Sequence, residues 1–133
     1  DHPDVKPLIP NDEEAGLKAF RERGHYPINH LVVIKDDLIE KYPDLAADVF
    51  NAFAESKRVY LDRLKGGRIE KPTEVDEVHR KVMAITGDPL PYGIAPNRRV
   101  IEELVGHALK QGIISRPVTV EELFVPSTRG LVG

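Results

Sequence analysis

Apolar residues recur at three-to-four spacing between residues 43 and 64. Leu45, Val49, Phe53, Tyr60 and Leu64 form a stripe, and Ala46, Phe50, Ala52 and Leu61 widen it. Asp44, Asp48, Glu55, Lys57, Arg58 and Asp62 take the other face. The pattern predicts a long helix over 43–64, with Pro43 at its first position and Gly66 and Gly67 as its stop. A thinner stripe (Ala15, Leu17, Ala19, Phe20) predicts a helix over 12–23, capped by Asn11 and ended by Gly24. A single turn is expected over 37–41. Thr73 and Asp76 read as a capping box for a helix over 74–85 that faces inward through Val75, Val78, Val82 and Ile85. Two prolines and two glycines make 87–93 a loop. Another helix opens near Pro96 and Asn97 and carries Val100, Ile101, Leu104, Val105, Ala108 and Leu109. Gly112 followed by Ile113 is a Schellman signature at its end. Thr119 and Glu122 form a second capping box, with Val118 and Leu123 as its staple, ahead of a helix of about two turns.

Alternation gives way to an unbroken apolar run at Leu31, Val32, Val33 and Ile34. We read 28–34 as the one clear strand, apolar enough for burial on both faces. The proline-rich first ten residues read as an extended arm, with room for a short strand over 5–8. One buried strand cannot satisfy its own edges. Either the protein is helical with an odd strand, or the partner strands lie in sequence beyond these residues, or a second copy supplies them. The opening residues read as a segment cut from something longer; a processed small protein is the plainer alternative.

Composition narrows the function classes. The 133 residues carry a net charge of −3, which argues against a nucleic-acid or membrane-surface binder. No apolar run approaches the length of a membrane span. There is no cysteine, hence no disulfide and no thiolate metal site. Without tryptophan and with 6% aromatic residues, ring stacking is not expected to dominate a ligand site.

Candidate chemistry is sparse. His30 stands at the start of the predicted strand beside Asn29; an imidazole there can face a cleft as a general acid, or be a buried group bonded to backbone. His79 and His107 read as helix-surface positions, and His2 as solvated. Arg98 and Arg99 follow Asn97 at a helix start, where amides and guanidiniums suit a carboxylate, although an ordinary solvent-facing cap has the same pattern. Tyr92 lies in a loop that can line a site or pack on its neighbours. No metal-ligand spacing, Walker loop or GxGxxG occurs, and neither metal nor cofactor is expected.

Two stretches, GHYPINHLVVIKD at 24–36 and DPLPYGIAPNR at 88–98, together with VEELF at 120–124, resemble the C-terminal part of 4,5-dihydroxyphthalate decarboxylases. The resemblance covers nearly the whole chain after about residue 3. It implies an α/β fold: the mostly helical C-terminal portion of a two-lobed protein built like type 2 periplasmic substrate-binding proteins. Residues 1–27 would be the tail of the second lobe and the approach to the hinge. Residues 28–133 would be the hinge strand and the C-terminal helices of the first lobe. Most of the ligand cleft then belongs to the rest of a longer chain, and this piece alone is not expected to be active.

The implied reaction is nonoxidative loss of one carboxylate from 4,5-dihydroxyphthalate, giving protocatechuate and carbon dioxide. On that reading His30 is the proton donor, Asn29 orients it or the substrate, and Tyr26, Tyr92, Arg98 and Arg99 bind the aromatic dicarboxylate. A cytoplasmic location and a homo-oligomer are expected. The competing function is a substrate-binding protein of an ABC-type transporter for an aromatic or other small anion, which would be periplasmic. A third is a helical interaction module without a small-molecule site. Fold cannot separate these, because function resides in the site.

Overall fold

The structure is a computed structural model that describes residues 2, 4–6, 8–24 and 28–133. Among the described residues five helices follow one another: α1 (Asp12–Arg23), α2 (Asp36–Lys41), α3 (Leu45–Lys65), α4 (Glu74–Thr86) and α5 (Ile94–Lys110). Two 3₁₀ turns, Glu121–Leu123 and Pro126–Thr128, close the chain. The longest helix is α3, with 21 residues.

Helix ends follow local chemistry closely. At the start of α4, Asp76 N–H donates to Thr73 Oγ1 and Thr73 N–H donates to Asp76 Oδ2, the reciprocal box expected there. At the end of α5, Ile113 N–H reaches the Ala108 carbonyl and Gly112 N–H the Leu109 carbonyl. Gly112 holds φ 69°, so the Schellman geometry is complete. Ile113 nevertheless stays 71% exposed. The end of α3 repeats this motif, through Arg68 N–H to the Arg63 carbonyl and Gly67 N–H to the Leu64 carbonyl.

Some ends differ from the expectation. Asn11 has φ 54° and its side chain caps nothing, so α1 starts without the expected cap. Pro43 precedes α3 rather than opening it. Helix α5 begins at Ile94, two residues before Pro96. Proline lacks only an N–H that the first turn leaves unpaired, so it is tolerated there. The Thr119–Glu122 box forms, yet the segment behind it is one 3₁₀ turn rather than two turns of helix.

The larger correction concerns the strand. Residues 28–34 form no ladder, and neither do the described residues of 5–8. Among the described residues the β-pairing is one isolated antiparallel bridge between Gly93 and Val132. A strand exists only by pairing, and among the described residues no backbone pairs with residues 31–34. Leu31, Val32 and Val33 lie exposed, Val33 at 90%, and Ile34 is half-buried. Ile28 is the anchored end of the segment, packed with Phe124 against a small core of Ile94, Ile101 and Val120. The α/β expectation therefore reduces, in this chain, to helices.

Leu61 and Leu64 of α3 and Val82 of α4 are also buried, and the two helices touch. Much of the predicted apolar stripe stays in solvent. Phe53, Val75 and Leu104 are about half exposed, so the faces they lie on are incompletely covered. No described helix is long and apolar enough to cross a membrane.

Candidate functional site

Residues singled out in the sequence fall into separate places. His30 and Asn29 lie exposed on the unpaired segment after Ile28. Tyr26 lies outside the described residues. Arg98 and Arg99 occupy the start of α5 and are already engaged. The Arg98 guanidinium bonds Glu121 and pairs with Glu102, which raises its own pKa and holds Glu121 below the usual carboxylate range. Arg99 pairs with Glu103 at 3.2 Å. Asn97 does not cap α5. Its Nδ2 donates to the carbonyls of Pro91 and Gly93, at 2.7 and 2.9 Å, and ties down the preceding loop. Among the described residues, no hydrogen bond, ion pair or ring contact joins His30, Asn29, Tyr92, Arg98 and Arg99 to one another.

Tyr92 belongs to a different cluster. Its ring meets Phe50 edge-on at 6.5 Å, and Lys57 Nζ lies 5.1 Å from its centroid. Lys57 was expected on the solvated face of α3; it is 8% exposed. Its ammonium donates to Asp88 Oδ2 at 2.7 Å and to the Gly133 carbonyl at 2.6 Å. Asp88 Oδ1 accepts from Leu90 N–H, which fixes the loop bearing Tyr92. The last residues complete the clasp: Tyr92 N–H donates to the Gly133 carbonyl, and Gly133 N–H returns to the Tyr92 carbonyl. A lysine can be buried this way because its long stem carries the charge to partners on other elements.

The most organised polar group centres on Tyr60, in α3. The phenol donates to Asp76 Oδ1 at 2.8 Å and lies 2.8 Å from His79 Nδ1. A phenol has one proton, and the carboxylate takes it, so His79 must donate through Nδ1. The neutral ring then carries its lone pair on Nε2. Asp76 Oδ2 accepts from both the amide and the hydroxyl of Thr73. These bonds, led by the Thr73 amide, hold Asp76 down to about 2. Burial, followed by the bond to Asp76, pushes Tyr60 up to about 12. Burial also lowers His79, outweighing the pull of Asp76.

His79 is thus half-buried in a network rather than a free surface group, and the sequence reading missed it. The signal was available: Asp76 and His79 are three apart on α4, one helical face, and Tyr60 sits on the inward stripe of α3. Tyr60 and Asp76 also line an open cleft of about 800 Å³ with Arg63, Arg68, Ile69 and Glu70. No described group of three or more His, Asp or Glu side chains is placed to hold a metal ion.

Comparison with known proteins gives one distant relationship. The chain is 30% identical over 130 residues to the 4,5-dihydroxyphthalate decarboxylase of Comamonas testosteroni. The match takes in 96% of this chain and 39% of that protein, so the chain spans well under half the length of the relative it matches. No family profile matches the chain, and no solved structure matches it. The relationship supports kinship with part of a decarboxylase; a two-lobed fold is not visible in these residues.

Proposed function

We propose that this chain is the C-terminal part of a nonoxidative aromatic decarboxylase acting on a benzene dicarboxylate such as 4,5-dihydroxyphthalate. The observation that carries the reading is the 30% identity over 130 residues to an enzyme of that name. The rest of a longer chain is assigned the remaining walls of the cleft. Support comes from the unpaired apolar segment whose Leu31, Val32 and Val33 side chains are exposed and whose backbone forms no ladder among the described residues, which leaves it open to pairing.

The chemistry needs few parts. A hydroxyl para to the departing carboxylate loses its proton and pushes electrons toward the carbon bearing that carboxylate. A general acid adds a proton at this carbon, forming a C–H bond at the cost of aromaticity. The C–C bond to the carboxylate then breaks, carbon dioxide leaves, and its electron pair restores the ring. His30 is assigned the acid, since imidazole exchanges protons near neutral pH. Asn29 is assigned its orientation or that of the substrate. Arg98 and Arg99 are weaker carboxylate receptors than the sequence suggested, because glutamates already satisfy them.

The test is carbon dioxide release by the full-length protein from 4,5-dihydroxyphthalate, with protocatechuate as the co-product. Stoichiometric formation of both supports the reading. Substrate binding without turnover would replace it with that of a binding protein.

A further inference from the structure

Arg58, Arg80, Arg98, Arg99 and Arg116 each stand within ion-pair distance of an aspartate or glutamate. Among the described residues Arg63 and Arg68, like Arg21, Arg23 and Arg129, have no such partner; Arg63 and Arg68 are the two of these that line a common cleft. Among the described residues Arg63 has no hydrogen-bond or ion-pair partner, and Arg68 donates only to the backbone carbonyl of Asp62. Both line the same open cleft, between the last turns of α3 and the start of α4. A guanidinium has five N–H donors in a planar fork suited to a carboxylate. Here nearly two full sets remain available.

The rest of the cleft is not generic charged surface. Val59 and Ile69 give it apolar walls. Tyr60 adds an aromatic wall that cannot swing away, because its hydroxyl is held by Asp76 and His79. Asp76 also faces the cleft, but Thr73 and Tyr60 occupy its oxygens. Glu70 is the remaining rim carboxylate, and it has no ion-pair partner within reach among the described residues.

We propose that this cleft is a binding site for a small carboxylate carried on a compact apolar body, such as a benzene carboxylate. Arg63 and Arg68 take the carboxylate, Val59, Ile69 and Tyr60 take the apolar part, and Glu70 weakens the site by like-charge repulsion. The site is separate from His30 and does not depend on the proposed decarboxylation. Backbone carbonyls at the end of α3 would oppose an anion, but Gly67 and Arg68 N–H groups already satisfy two of them.

The experiment is titration of the full-length protein with phthalate, followed by calorimetry and by amide shifts of residues 56–76. Saturable binding is expected, weakened about tenfold by Arg63→Ala and further by Arg63→Ala with Arg68→Ala, as for loss of charge-assisted bonds. Arg63→Lys should keep part of the affinity, Glu70→Gln should tighten it, and His30→Ala should leave this site unchanged. Shifts that merely follow ionic strength and persist in the double variant would overturn the proposal. So would binding that His30→Ala abolishes and the arginine variants spare; that result would leave the decarboxylase reading intact. Absence of carbon dioxide release with arginine-dependent binding would sink only the decarboxylase. If Arg63→Ala fails to fold, Glu70→Gln decides, since unchanged affinity there removes Glu70 and the cleft from the interaction.

Discussion

Lys57 Nζ lies 2.7 Å from Asp88 Oδ2, bridging 31 residues of sequence to hold the loop after α4 against the middle of α3. The same ammonium reaches the Gly133 carbonyl, so one side chain joins three parts of the chain. Lys57→Met removes the charge and keeps the stem. It should destabilise by about 1–3 kcal/mol, the range for a hydrogen bond to a charged group, tempered by the partial exposure of Asp88. Urea unfolding of Lys57→Met, Asp88→Asn and the double variant would measure the coupling. Additive effects would mean that the pair contributes nothing as a pair.

The Thr73–Asp76 box gives α4 its start, and Thr73→Ala should cost about 1 kcal/mol by thermal melting. Its carboxylate sets a pH dependence. Asp76 titrates near 2 when folded and at its ordinary 3.8 when unfolded, so its contribution is complete above 3.8 and lost as pH falls toward 2. Asp76→Asn should flatten the stability profile in that window.

His79 acts in a higher window with the same sign. Its folded value lies below the ordinary 6.5, so the unfolded chain takes up the proton first on acidification. Stability from this group is complete above 6.5 and declines as pH falls through its lowered folded value. His79→Gln should remove that decline. Tyr60→Phe should remove the acceptor of the His79 Nδ1–H, visible as a shifted histidine titration by NMR.

Gly93 sits at φ 101°, and a Cβ there would come 2.3 Å from the Leu131 carbonyl oxygen. Gly93→Ala should break the bridge to Val132 and destabilise by about 1–3 kcal/mol, the range for a forced backbone conformation. Loss of amide protection at Tyr92 and Gly133 in hydrogen exchange is the specific readout. Unchanged protection would show that the bridge adapts.

In the full-length protein, His30→Ala should lower carbon dioxide release by about 10²–10⁴-fold, the span of a lost general acid. His30→Gln keeps a hydrogen-bond donor but delivers no proton. Equal loss in both variants supports acid catalysis; full activity in Gln alone reduces His30 to an anchor.

Helix positions and several of their ends were legible because their determinants are local. The three-to-four stripe of α3, the Thr73–Asp76 box and the glycine stops at residues 24, 66–67 and 112 each act within a turn or two of their own position. The apolar run at 31–34 was equally visible, but hydrophobicity records a need for cover and cannot supply a partner strand. Lys57 and His79 looked like solvated helix residues because their partners, Asp88 and Gly133 for one and Tyr60 for the other, lie far along the chain. Only the packing of α3 against α4 and of the chain end against the 88–93 loop brings those groups within hydrogen-bond reach. Local bonds are fixed by neighbours in sequence; the burial of a charge is fixed by whichever distant group tertiary structure delivers to it.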